Sequence, residues 1–349
     1  MLDRRKSRKI KIGKLAIGGY EKISIQSMLN VSTDYEAVEQ AKNLERAGCD
    51  IVRIAVPDKN AVILINKLKE CLKIPVVADI HFNYNLAIES IFSGADKIRI
   101  NPGNISKCDI AKIVKVCKLK DIPIRIGINS GSIEKEILQK FGSSTADAMV
   151  ESAIKNVRII ENLDFYKIVL SLKSSSLLNC VMAYERISEI CDYPLHIGVT
   201  ESGTERSGTI KSAIGIGSLL LKGIGDTIRV SLSADPIKEV ETGFLILKSL
   251  GLTDGVEVIS CPTCGRTKID VIGIAQSIEE ATKNIKKNIK IAVMGCPVNG
   301  PGEARDSDFC VTGVDGVGII FKKGEIVKKV AIENILDELL LLINMWKIF

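Results

Sequence analysis

From residue 23 to about residue 235 one phrase recurs: a short run rich in β-branched residues, then a longer run with the apolar spacing of an amphipathic helix. The short runs are ISIQSM (23–28), DIVRIAV (50–56), PVVADIH (75–81), KIRINPG (97–103), PIRIGIN (123–129), KIVLSLK (167–173), PLHIGVT (194–200) and TIRVSLS (227–233). Segments such as DYEAVEQAKNLERAG and STADAMVESAIKNVRIIENL separate them. Alternating strand and helix implies a parallel sheet, because parallel neighbours need a long crossover between them. Eight such units in this length predict an α/β fold closed into a (β/α)8 TIM barrel. An open doubly wound sheet is the rival, but no GxGxxG follows the first strand.

The pattern changes after the helical segment IKEVETGFLILKSLG, near residue 251. VEVISCP, IKIAVMGCPV, DFCVTGV and the hairpin-like GVGIIFKKGEIVKKV read as strands, and SIEEATKNIKKN and IENILDELLLLINMW as helices. A small α+β domain is expected to follow the barrel directly, with the division at 1–250 and 251–349. A chain of 349 residues has room for two domains at about 150 residues each.

Composition narrows the function classes. The net charge of +6 permits an anionic partner without demanding nucleic acid. Aromatic residues make up only 4%, too few for a base-stacking surface. The basic start MLDRRKSRKIKIG has no apolar stretch behind it, and the longest apolar runs are broken by charge, as in AIGIGSLLLKGIGD. The expectation is a cytoplasmic protein in a reducing compartment, with no membrane span and no disulfides. The cysteines at 49, 71, 108, 117, 180 and 191 fall in helix or strand patterns and read as small buried hydrophobes.

Catalytic residues of such barrels come from the C-terminal ends of strands and the loops after them. Five different strands supply Arg53, Arg99, Arg125, Lys173 and Arg229. Cations rarely occupy strand interiors unpaired, and five converging on one mouth repel one another unless an anion joins them. Asp79 and Glu201 could neutralise two. The excess points to a doubly phosphorylated or diphosphate substrate, which guanidinium groups contact in bidentate fashion. NPGN (from Asn101), NSGS (from Asn129) and ESGTERSGT (from Glu201) are small glycine-containing turns that offer backbone N–H groups to phosphate. Asp79 and His81 share a side by strand alternation, suited to proton transfer or hydroxyl binding. His196 lies earlier in its strand and reads as a satisfied core histidine.

Cys261 and Cys264 form a C-x-x-C pair in SCPTCGRTK, and no second pair exists to complete a zinc ribbon. MGCPVNGPGEARDSD (294–308) adds Cys296. The fourth ligand is either Cys310, for an all-cysteine zinc site, or a carboxylate such as Glu303. Three thiolates and one weak oxygen donor suit an iron–sulfur cluster with one openable iron, whereas structural zinc prefers a closed tetrahedral set.

CPTCGRT followed by MGCPVNGPGEA resembles the signature of the bacterial 4-hydroxy-3-methylbut-2-enyl diphosphate synthases of the non-mevalonate isoprenoid pathway. ISIQSM, AGCDIVRIAVP, ADIHFN, IRINPGN, RIGINSGS, SLKSS, PLHIGVTESG and GIGDTIRVSL are similar to family blocks in the same order. The resemblance implies a 4Fe–4S cluster on Cys261, Cys264, Cys296 and Glu303, with Cys310 a bystander. It implies reductive ring opening and dehydroxylation of 2-C-methyl-D-erythritol 2,4-cyclodiphosphate, with flavodoxin or ferredoxin as electron donor. Arg53, Arg99, Arg125, Lys173 and Arg229 match its substrate-binding positions, assisted by Asn129 and Ser231. Glu201 matches a carboxylate of proton delivery or substrate orientation. In the family a head-to-tail homodimer sets one subunit's cluster domain over its partner's barrel. After QSM this chain reads LNVST where the family carries a Thr-rich TNT stretch. Two rivals stand beside this reading: a pterin-type synthase with an inert metal site, and a zinc-stabilised nucleic-acid-binding protein.

Overall fold

The computed structural model describes residues 3–31, 33–101, 105–283, 285–296, 300–314 and 316–346. Two compact units divide at residues 252 and 253. The first opens with a hairpin of β1 (Ile10–Ile12) and β2 (Leu15–Ile17). Eight parallel strands follow: β3 (Ser24–Met28), β4 (Ile51–Ala55), β5 (Val76–Ile80), β6 (Lys97–Ile100), β7 (Ile124–Asn129), β8 (Ile168–Lys173), β9 (His196–Ile197) and β10 (Thr227–Ile228). Their spatial order is β8-β7-β6-β5-β4-β3-β10-β9. A parallel bridge between Leu170 and Leu195 joins the two ends, with the Leu170 N–H donating to Pro194 O at 2.9 Å. The result is the eight-stranded barrel that the alternation predicts.

The outer ring comprises α1 (Asp34–Arg46), α2 (Lys59–Cys71), α3 (Tyr84–Phe92), α4 (Lys107–Lys120), α5 (Lys135–Phe141), α6 (Ala146–Glu161), α7 (Leu177–Ile190), α8 (Glu205–Leu221) and α9 (Pro236–Ser249). Thr33, Asp58, Asn83, Ser106, Thr145, Ser176 and Asp235 each precede a helix and accept a first-turn backbone N–H. Such caps satisfy donors that a helix cannot pair internally. Alternate strand residues such as Ile54, Ile98, Ile126 and Leu170 pack outward against the helices as one continuous core.

Several details depart from the sequence pattern. The last two barrel strands hold only two residues each, not seven. At Gly198 an added Cβ would lie 2.4 Å from Arg229 O, so the two backbones run too close for a regular extended ladder. KIRINPG is strand only through Ile100, and residues 102–104 lie outside the described residues. Cys49, Cys117 and Cys180 are buried, but Cys71 and Cys191 are half-buried and Cys108 is exposed. Cys108 stands in the first turn of α4, where its own helix face turns to water.

The hairpin has no counterpart in the sequence-based expectation. Ile10, Ile12 and Ile17 pack with Ile51, Val77 and Val169 into a separate buried cluster. The last three are the inward residues at the starts of β4, β5 and β8, so the hairpin stops the N-terminal end of the barrel with hydrocarbon. Solvent therefore meets the interior from the C-terminal end.

The second unit is a five-stranded sheet in the order β11 (Val256–Ser260), β12 (Ile289–Val293), β13 (Phe309–Val314), β14 (Val317–Lys322) and β15 (Glu325–Ala331). The first three strands run parallel and the last two pair antiparallel. Helices α10 (Val271–Thr282) and α12 (Ile335–Trp346) cover one face, through Val271, Ile278, Leu339 and Ile343 against Ile291, Val311 and Ile320. The short α11 (Gly300–Asp306) lies on the other face, where Ala304 meets Ala292, Met294, Cys310 and Phe321. Helix α10 starts six residues before the predicted SIEEATKNIKKN, because Asp270 caps it by accepting the Gly273 N–H. Among the described residues no helix is long and apolar enough to cross a membrane.

Truncating the plug tests its contribution. Ile12→Ala removes a fully buried side chain and should cost about 2–5 kcal/mol. Ile63→Ala, 56% exposed on α2, should stay within about 0.5 kcal/mol. Urea denaturation of both variants measures the difference.

Candidate functional site

Strand alternation turns one set of side chains into the barrel, and that set is charged. The Asp79 carboxylate stands at its centre, fully buried. It accepts from Arg53 Nη2 at 2.6 Å and Arg99 Nη1 at 3.0 Å, and His81 Nε2 lies 3.3 Å away. Arg99 is register partner to both Asp79 and Arg125. Lys173 ends β8 opposite Asn129. Arg229, just past β10, pairs with Glu239 at 3.2 Å.

The charge balance corrects the sequence-based one. Asp79 serves two arginines, and the second carboxylate is Glu239 of α9, not Glu201. Glu239 also accepts from Ser27 Oγ at 3.0 Å and the Leu232 N–H at 3.1 Å. Arg125 is a second correction: it is the second residue of the six in β7 and lies deep in the barrel rather than at a strand end. Its Nε and Nη1 have no hydrogen-bond partner among the described residues. No carboxylate pairs with Arg125 or Lys173 among the described residues either. Gly127 makes the interior roomy enough, since a Cβ there would come within 2.6 Å of Arg99 Nε.

The titration directions follow from this crowding. Burial alone would raise the Asp79 pKa, but Arg53, His81 and Arg99 together hold it well below the usual carboxylate value. Burial, then repulsion from Arg229 and Arg125, pulls Lys173 well below its usual value. Burial, then repulsion from Arg53 and Arg99, does the same to Arg125, yet a guanidinium keeps its proton in such surroundings. The interior thus carries positive charge that its own carboxylates do not balance.

Around the rim, His81 is half-exposed beside Asp79, and Asn101 is buried at the end of β6. Asn129 leads into a 3-10 turn, Ser130–Ser132, and Ser231 is half-buried two residues past Arg229. Glu201 is exposed on the loop after β9 with φ of 53°. A left-handed backbone is unfavourable for a residue with a Cβ and recurs at functional loops. In the LNVST stretch Thr33 serves as the α1 cap, and Ser32 lies outside the described residues. His196 corrects another expectation. Its Nδ1 lies 2.7 Å from Thr227 Oγ1, but Nε2, fully buried, has no partner among the described residues. Burial and the charges of Arg125 and Lys173 hold the ring well below its usual pKa, hence neutral.

The thiols lie in the second unit. Cys261 directly follows β11, and Cys296 follows β12 by three residues; the strands are parallel neighbours that pair Ser260 with Val293. The Gly295 N–H donates to Cys261 Sγ at 3.1 Å, and the Lys268 N–H to Gly295 O at 2.8 Å, tying the two loops together. The Arg266 backbone N–H, with that residue's charge and Thr267, draws the exposed Cys264 thiol below its usual pKa, outweighing desolvation. Cys310 is buried on β13, its thiol pushed up to about 12 by burial and by the charge of Glu303 on α11. Among the described residues no three His, Cys, Asp or Glu side chains stand close enough to hold one metal ion; residues 297–299 of the motif lie outside the description. A cluster makes a wider demand, since each iron takes its own ligand. Three cysteines on two adjacent loops, with a backbone N–H already on one sulfur, suit that demand.

The GcpE TIM-barrel domain matches residues 7–244, and the GcpE protein C-terminal domain matches residues 257–345. The chain belongs to the GcpE family. A relative from Caldanaerobacter subterraneus subsp. tengcongensis is 59% identical over 97% of this chain and 96% of its own length. One from Clostridium perfringens is 54% identical over 98% of this chain and 99% of its own. Each is named 4-hydroxy-3-methylbut-2-en-1-yl diphosphate synthase (flavodoxin). In fold alone, the GcpE barrel is like a dihydropteroate synthase from Xanthomonas albilineans (TM-score 0.51, 14% identity, 70% of this chain and 99% of that one). It is similarly like a type I 3-dehydroquinate dehydratase from Clostridium difficile (TM-score 0.52, 14% identity, the same coverage).

The sequence reading of this GcpE chain missed Glu239, Lys97 and Gln26. Lys97 and Arg99 share a strand face in KIRI, which was a usable signal; Glu239 sits in an ordinary helical stretch and gave none. The central ion pair yields a prediction. Asp79→Asn strands two buried guanidinium groups and should cost about 3–5 kcal/mol. Because the folded pKa of Asp79 lies below the unfolded value of about 3.9, this stability is fully present above that value. It is lost only as pH falls through the folded pKa. The stability difference between wild type and variant, measured by urea denaturation, should be constant from neutral pH down to about pH 5 and shrink only below about pH 4.

Proposed function

We infer that this chain is a 4-hydroxy-3-methylbut-2-en-1-yl diphosphate synthase that receives electrons from flavodoxin and acts on 2-C-methyl-D-erythritol 2,4-cyclodiphosphate. The observation that carries the reading is 59% identity over 97% of the chain, spanning barrel and second domain together. The reaction opens the cyclic diphosphate by breaking one carbon–oxygen bond and expels a hydroxyl as water, consuming two electrons and two protons.

Arg53, Arg99, Arg125, Lys173 and Arg229 hold the diphosphate, with Asn101, Asn129 and Ser231 at its edge. Uncompensated charge on buried side chains supports this role, since charge-assisted contacts strengthen as water is excluded. The same cations offset the charge released as the ring opens. Asp79 stays ionised and orients His81, whose half-exposed ring can bind a substrate hydroxyl or pass a proton. Glu201, exposed and held in a left-handed turn, is the proton donor or orienting carboxylate. Cys261, Cys264, Cys296 and Glu303 would hold a 4Fe–4S cluster, with Cys310 outside the set. When bound, that cluster supplies the electrons and an electrophilic iron for the departing oxygen. The enzyme works in the cytoplasm as a head-to-tail homodimer, which sedimentation of the cluster-loaded protein tests.

Anaerobically purified protein should carry about four iron and four sulfide per chain. Cys296→Ser should lose them and Cys310→Ser should keep them; stoichiometric zinc without sulfide overturns the cluster. Arg125→Ala removes contacts worth about 1.5–3 kcal/mol and should weaken binding of the cyclic diphosphate about ten- to a hundredfold with iron content unchanged. Product formation from the cyclic diphosphate with reduced flavodoxin tests the activity itself.

A further inference from the structure

Beneath the cations assigned to the diphosphate lies a second polar layer that no role yet covers. Lys97 is fully buried, two residues before Arg99 on β6, and so turns inward as Arg99 does. Its neighbour Ile98 faces the helices instead. Among the described residues, Lys97 Nζ has no hydrogen-bond partner, and neither has either side-chain polar atom of Gln26, nor His196 Nε2. Gln26 also points inward, because Ile25 and Ser27 beside it meet Gly243 and Glu239 of α9. Barrel interiors are ordinarily filled by layers of branched apolar side chains, as Val77 and Ile51, the register partners of Lys97 and Gln26, are.

Leaving a buried amine without an acceptor destabilises the empty barrel, whether or not the amine holds its proton. Burial, then the charges of Arg125 and Arg53, drives the Lys97 pKa well below the usual value. Arg125 stands on the adjacent strand β7 and Arg53 on β4, two strands away. The apolar plug closes the floor below, so an anion can reach this layer only from the mouth.

Resting on the diphosphate reading above, we propose that Lys97 is a positioning residue of the diphosphate site. From the barrel floor, an amine with no acceptor among the described residues leaves the empty site short of negative charge. A bound diphosphate is then the state in which floor and ring are both satisfied. The residue acts through Arg125 and Arg53, and its cost to the empty protein is the counterpart of its help to binding.

The consequence is a pair of effects with opposite sign. Lys97→Met keeps the volume and removes the amine; in the full-length, cluster-loaded protein it should raise the melting temperature without ligand. It should also weaken inorganic pyrophosphate, measured by isothermal titration calorimetry, by about tenfold. Lys97→Gln keeps a donor but no positive charge and should weaken pyrophosphate as much. Arg125→Ala is the reference for loss of the site. If wild type binds pyrophosphate, Arg125→Ala does not, and Lys97→Met binds like wild type, the role of Lys97 is overturned alone. A lower melting temperature together with weaker binding makes Lys97 a structural residue and overturns the proposal, as does wild-type affinity in Lys97→Gln. Wild type that fails to bind pyrophosphate overturns the diphosphate reading and the role of Lys97 with it.

Discussion

The buried carboxylate of Asp79, gripped by Arg53 and Arg99, is the interaction on which the barrel interior depends. Two unit charges about 4 Å apart interact by about 4 kcal/mol at an effective dielectric constant near 20. An exposed pair such as Lys59 with Glu89 contributes about 0–1 kcal/mol. One carboxylate between two guanidiniums fixes both, and it fixes them as donors with spare N–H groups. Glu239 does the same for Arg229 from the helix layer. What remains, Arg125 and Lys173 with Lys97 below them, has no carboxylate among the described residues. The barrel is therefore held together locally by ion pairs and left globally unbalanced, which is the electrostatic condition for taking up a polyanion.

The rest of the barrel protects that condition. The hairpin plug fills the N-terminal end with isoleucine, so the charged layers rest on hydrocarbon. Gly127 and Gly198 omit the two Cβ atoms that would collide with Arg99 Nε and crowd Lys173 Nζ. The outward strand residues are mostly apolar and bind the helices in one core. A strand in this protein thus has two chemistries, hydrocarbon outward and cations inward, and the period of two along the backbone keeps them apart.

The second unit uses the same economy on a smaller sheet. Its apolar residues divide between two faces, with α10 and α12 on one and the short α11 on the other. The parallel pairing of β11 and β12 brings Cys261 to the loop that carries Gly295 and Cys296. Backbone donors such as the Gly295 N–H then become available to sulfur. The two cysteine-bearing loops owe their closeness to strand register.

Much of this could be read along the chain. The strand–helix period determined the barrel, because apolar alternation and crossover length are local properties. It also determined which polar side chains share a strand face, since residues two apart on a strand face one way: Lys97 with Arg99, and Asp79 with His81. The C-x-x-C pair and Cys296 were legible in the spacing, which left the fourth ligand open between Cys310 and Glu303. Depth and partnership did not follow. That Arg125 lies deep, that Glu239 answers Arg229, and that His196 Nε2 has no partner among the described residues depend on contacts between residues far apart in sequence. The plug escaped notice for the same reason, since IKI and LAI are too short to carry a period and become a hairpin only against Ile51, Val77 and Val169. Local pattern decides which way a side chain points; only the closed barrel decides what it meets there, because closure sets the register and height of every strand at once.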